Sequence, residues 1–127
     1  EGVSAWHPGL LSSLVCAGGE ALTAPEIAGL DLAGMELAVL SACQTGLGKD
    51  VASEGLLGLQ RAFAVAGCRS VVSSLWDVHD AATGVLMERF CFHLWERKLP
   101  KAEALRQAQL DVLRHPEWVE EKAKKLE

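Results

Sequence analysis

Two short apolar runs with a helical stretch between them leave this chain few folds to choose from. MELAVLSA (35–42) reads as a strand through Leu37, Val39 and Leu40, and CRSVVSSLW (68–76) reads as another through the β-branched Val71 and Val72. Between them, SEGLLGLQRAFAVAG (53–67) sets Leu56, Leu57, Leu59, Phe63 and Ala66 at helical spacing, with Gly67 placed as the C-terminal cap. A strand, a helix and a second strand joined by connections of this length make a right-handed crossover, so the two strands are expected to run parallel, with helices flanking the sheet. The apolar character of the first run further predicts a strand covered on both faces.

The rest of the chain extends the pattern. LLSSLVCAG (10–18) reads as a strand ended by Gly18 and Gly19. Thr23, Pro25 and Glu26 carry the signature of a capped helix start, in which Thr23 and Glu26 form a capping box, and the helix should stop near Gly29. Asp80 is placed to cap a helix reaching about Trp95, and Pro100 opens another from Lys101 to about Arg114. At 127 residues the chain is read as a single domain or a fragment of one, long enough to bury a real core.

Composition narrows the function classes. The apolar runs are short and broken by Gly and polar residues, far from the roughly 18 unbroken apolar residues of a membrane span, and no basic n-region with an apolar h-region opens the sequence. A formal charge of −5 argues against a nucleic-acid surface. The basic cluster Lys122, Lys124 and Lys125 alternates with glutamates and reads as a solvated helix end. The four cysteines, Cys16, Cys43, Cys68 and Cys91, lie more than 20 residues apart, which supports neither a zinc site nor a disulfide framework and fits a reducing, cytoplasmic compartment. No metal-ligand cluster or cofactor fingerprint stands out, so no cofactor is expected.

In parallel α/β sheets, ligands gather at the carboxyl ends of the strands. Cys43 stands at the end of one predicted strand and LWDVHD (75–80) at the end of the next, so the two segments face one another if those strands are neighbours. Small neighbours, Ser41 and Ala42, and the turn through Gly46 and Gly48 leave Cys43 room for an extended substrate. A free cysteine is most often a small buried hydrophobe, and position alone favours that reading for Cys43. For Cys16, Cys68 and Cys91 packing is a sufficient explanation.

LAVLSACQTGLGKDVASEGLLGLQRAFAVAGCRSVVSSLWDVHDAAT, followed by LMERFCFHL and KAEALRQAQLDVL, resembles the C-terminal half of a CHAT domain, a caspase-like family often attached to tetratricopeptide repeats. The resemblance runs from about His7 to Trp118, and its most specific part is the ordered set SAC-x-TG, GLxxAFxxAG and SLWxVxD. LWDVHD is also similar to the matching segment of separase. The resemblance implies a caspase-like three-layer sandwich, a mainly parallel sheet flanked by helices, incomplete at both ends here. It also implies a cysteine endopeptidase acting on protein substrates, with Cys43 as nucleophile.

In the family the catalytic histidine lies on a preceding strand in a segment resembling ATHG, and a final strand resembling WAAFVL closes the sheet. Neither segment is found in this sequence, so the histidine is expected from an upstream segment or a second chain, and the chain alone is expected to be inactive. An exposed sheet edge would then invite self-association. His79 is the one histidine placed to substitute, with a surface role beside Asp77 and Asp80 as the safer reading; His7, His93 and His115 are read as partly exposed structural residues. Asp77 and Asp80 could floor a first specificity pocket for a basic P1 side chain, as the separase resemblance suggests, with Trp76 as its wall. Asp80 is better explained as a helix N-cap, whereas for Asp77 the pocket and a solvated turn stand level. The rival reading is a non-catalytic caspase-like interaction module.

Overall fold

The computed structural model describes residues 12–40, 49–74 and 79–126, which form two compact units divided between Asp77 and Val78. The first unit contains four short strands and two helices. Strand β1 (Ser13–Val15) pairs antiparallel with β2 (Ala21–Thr23), Val15 standing opposite Ala21. The reversal is made by Gly18 and Gly19 at φ 89° and 81°, closed by hydrogen bonds from Cys16 N to Glu20 O (2.7 Å) and from Gly19 N to Cys16 O (3.1 Å). The glycines expected to end a strand thus turn it back into a second one, so these strands form an antiparallel hairpin and not part of a parallel sheet.

Helix α1 (Ala24–Ala28) begins as its sequence predicts. Thr23 accepts from the Glu26 amide, the Glu26 carboxylate accepts from the Thr23 amide at 2.8 Å, and Pro25 occupies the first turn. Strand β3 (Ala38–Leu40) and strand β4 (Val71–Ser73) are parallel neighbours in the register Ala38 to Val71, Val39 to Val72 and Leu40 to Ser73. Between them runs helix α2 (Lys49–Val65), which gives the predicted crossover. Ala38 and Leu40 are buried while Val39 is 44% exposed, so β3 is covered on one face and not on both. Among the described residues there are therefore two two-stranded sheets, one antiparallel and one parallel, in place of the single mainly parallel sheet expected.

Both sheets share one core. Ile27 is wholly buried and packs with Ala24, Leu40, Leu59 and Ala62, against which Leu14, Leu22 and Val71 close from the strands. Full burial of a side chain such as Ile27 contributes about 1.5–3 kcal/mol. The end of α2 is fixed by a Schellman motif in which Gly67 N donates to Ala64 O (3.1 Å) and Cys68 N to Phe63 O (3.0 Å). Gly67 adopts φ 103°, and a Cβ there would lie 3.0 Å from the Ala33 backbone, so both conformation and space require glycine.

The second unit is helical. Helix α3 (Asp80–Cys91) continues into a π turn (Phe92–Glu96) closed by Arg97 N donating to Phe92 O at 3.1 Å. Helix α4 (Lys101–Arg114) follows with Pro100 at its N-cap, as expected. Residues 116–126, expected as a solvated polar end, form helix α5 (Pro116–Leu126), which packs on α3 through a half-buried Trp118. Ala81, Val85, Phe90, Ala104 and Ala108 are the buried apolar residues of this unit.

Candidate functional site

The parallel pair β3 and β4 positions the candidate site. Because Leu40 stands opposite Ser73, the chain leaves both strands at the same end of the pair. Cys43 follows Leu40 by three residues and Trp76 follows Ser73 by three. The condition set by the sequence, that these strands be neighbours, is met. Cys43, Gly46, Trp76 and Asp77 themselves lie outside the described residues, as does His7.

Side chains at the strand ends are tied together. Gln60, from the middle of α2, donates its Nε2 hydrogen to Ser73 Oγ, both groups being half-buried. Sequence reasoning passed over this pair. The signal available was a lone amide inside GLxxAFxxAG and a serine closing an otherwise apolar strand.

Asp80, read from the sequence as the N-cap of α3, is one position further in. His79 takes the cap in extended conformation without a side-chain cap bond, and its carbonyl accepts from Thr83 N (2.9 Å) and Thr83 Oγ1 (3.0 Å). Thr83 satisfies that turn from within the helix, which shifts the boundary by one residue. Asp80 is an exposed carboxylate in the first turn, where the helix dipole favours negative charge. His79 is exposed as well.

The remaining histidines are committed elsewhere in the second unit. His93 is buried, contrary to the partly exposed position expected of it, because the π turn directs its ring inward. Its Nε2 lies 2.7 Å from Asp111 Oδ2, the same oxygen that accepts from Arg89 Nε at 2.7 Å. Since that carboxylate can only accept, Nε2 carries the proton. His93 Nδ1 is buried without a hydrogen-bond partner among the described residues.

Burial pushes the Asp111 carboxyl up, and the hydrogen bonds and charges of His93 and Arg89 outweigh it, holding it below its ordinary 3.8. The Arg89 guanidinium also lies 4.4 Å from the Phe92 ring centroid and 5.3 Å from that of Trp118, which stacks on His115 at 4.2 Å. His115 Nδ1 is 2.9 Å from Glu117 Oε1. This cluster joins α3, the π turn, α4 and α5, and both of its imidazoles are already held by carboxylates.

Of the other thiols, Cys68 is buried with its Sγ 3.2 Å from Ser70 O and Cys91 is half-buried, as packing requires. Cys16, expected in an apolar run, is exposed beside the hairpin turn. Among the described residues no group of three or more His, Cys, Asp or Glu side chains could hold a metal ion, and no helix is long and apolar enough to cross a membrane.

Comparison with known proteins gives one family. The model of the CHAT domain matches residues 3–124, nearly the whole chain and including most of α5. No curated protein and no solved structure matches.

Proposed function

Because the chain belongs to the CHAT domain family, we propose that it is the nucleophile-bearing part of a caspase-like cysteine endopeptidase that cleaves protein substrates. The observation that carries the proposal is the parallel register of β3 and β4, from whose common end the chain runs on to Cys43 and to Trp76. In the complete domain this pair belongs to a three-layer caspase-like sandwich.

In this reading a histidine removes the Cys43 proton, and the thiolate attacks the scissile carbonyl to form a carbon–sulfur bond. The resulting oxyanion is met by backbone N–H donors, the leaving amine takes the proton from the histidine, and water then hydrolyses the thioester. The turn at Gly46 admits the substrate backbone. Trp76 and Asp77 line the first specificity pocket and select a basic P1 side chain, while Asp80 adds negative charge at the head of α3.

The histidine comes from a segment or chain outside residues 1–127. The commitment of His93 to Asp111 and of His115 to Glu117 supports that assignment, as does the exposure of His79 at a helix start.

The test uses the full parent protein, its Cys43→Ala variant and a library of internally quenched peptides. Cleavage after Lys or Arg that disappears in the variant, with the thermal midpoint unchanged, is expected. Cleavage that survives Cys43→Ala sinks the nucleophile assignment. A wild-type protein that cleaves nothing while capturing a folded partner identifies an interaction module instead.

A further inference from the structure

Gln60 and Ser73 are polar groups set against an apolar core, and their placement coincides with the point from which both candidate site segments depart. Gln60 stands one residue after the buried Leu59 and two before the buried Ala62, on the flank of α2 that meets β4. Ser73 is the last residue of β4 and the register partner of Leu40, the last residue of β3. A half-buried amide–hydroxyl pair is a poor way to gain stability, because a well-packed apolar pair of the same volume serves as well or better. What such a pair supplies is a single directional arrangement.

We propose that Gln60 is a positioning residue whose hydrogen bond to Ser73 fixes the carboxyl ends of β3 and β4 against α2, and so sets the spacing between the segment carrying Cys43 and the segment carrying Trp76 and Asp77. The proposal rests on the reading of Cys43 as nucleophile. α2 is the helix that follows Cys43 and β4 is the strand that precedes Trp76, so one bond between them ties the far side of one segment to the near side of the other. The Gln60 amide donates through Nε2, which leaves the Ser73 hydroxyl hydrogen free for a further acceptor. A slack strand end lets the two segments drift, and a misplacement of about 1 Å at a reacting centre can cost on the order of a hundredfold in rate.

The experiment is iodoacetamide labelling of the full parent chain across pH, read by mass spectrometry at each cysteine, for the wild type, Gln60→Met, Ser73→Ala, Ser73→Thr and the double variant Gln60→Met/Ser73→Ala. Gln60→Met and Ser73→Ala are each expected to slow Cys43 labelling by about tenfold or more, with a shifted pH profile and a thermal midpoint close to the wild type. Ser73→Thr, which keeps the hydroxyl on a residue suited to a strand, should restore both. The double variant should be no slower than the slower single one, since both remove the same bond.

A wild type in which Cys43 is selectively labelled, but whose variants label alike, overturns the positioning role and leaves the nucleophile reading standing. A wild-type Cys43 with the rate and pH profile of an ordinary thiol overturns both. If the Ala and Met variants do not fold, a Ser73→Thr protein with slowed Cys43 labelling also overturns the role, because the hydroxyl is present and the bond should form.

Discussion

Single positions in this protein are governed by backbone sign and by who accepts a hydrogen bond from whom. Gly67 and Lys98 make opposite cases, both in the left-handed region at φ 103° and 52°. Gly67→Ala is expected to destabilise the first unit by more than about 1 kcal/mol, since the added Cβ meets the Ala33 backbone as well as an unfavourable φ. Lys98→Gly is expected to stabilise the second unit by up to about 1 kcal/mol by relieving a non-glycine left-handed conformation. Chemical denaturation of each variant reads both signs. Asp111 is the position where one atom serves two partners, and Asp111→Ala leaves Arg89 and the buried His93 without their acceptor, at a cost of about 1–3 kcal/mol. Because the folded carboxyl titrates below its unfolded value near 3.8, the stability it contributes is fully present above that pH and is lost as pH falls through the folded value. The wild type should therefore lose more stability than Asp111→Ala as pH is lowered from about 4 toward 2, measured by thermal midpoints.

Elements differ in how far their own residues determine them. The α1 start was legible because a capping box is a local device, complete within Thr23 to Glu26, and Thr23→Ala should cost about 1 kcal/mol by circular-dichroism melting. The crossover from β3 through α2 to β4 was legible for a related reason, in that periodicity and length alone decide it. Strand β2 was not, because three residues carry no periodicity and its existence depends on two glycines folding it back on β1. Helix α5 was hidden by its charge, since a run of Glu and Lys reads as solvated until Trp118 is seen against Arg89 and Lys122 against Glu88. His93 was misread because the inward aim of its ring comes from the π turn, which no residue pattern announced. Of the candidate site, Asp80 was located to within one position of its role in the helix, and the strand ends were placed correctly. Cys43, Gly46, Trp76 and Asp77 remain assignments by family likeness. The Lys122 to Glu88 ion pair is solvent-facing, so Lys122→Ala should change stability by less than about 0.5 kcal/mol.

At the scale of the whole molecule, charge and exposed apolar surface set behaviour in solution. The sequence reaches neutrality near pH 5.4, and Val15, Val65, Trp95 and Leu113 are each more than 60% exposed. Light scattering should therefore show association strongest near pH 5.4 and weaker at pH 7, where the net charge of −5 keeps copies apart. That association lies well above the pH at which Asp111 is protonated, so the two effects separate on one titration. The π turn adds a consequence for how such a sequence tolerates changes in length. A π turn holds one more residue than the α turn it replaces, and removing one residue between Phe92 and Glu96 can restore regular helix while keeping the backbone hydrogen-bonded. Everything beyond the deletion would then rotate by about 100° relative to α3. Homologues one residue shorter here should keep the helix and lose the match between an imidazole at the position of His93 and an acidic partner on α4, so this five-residue stretch is where an insertion became part of the architecture.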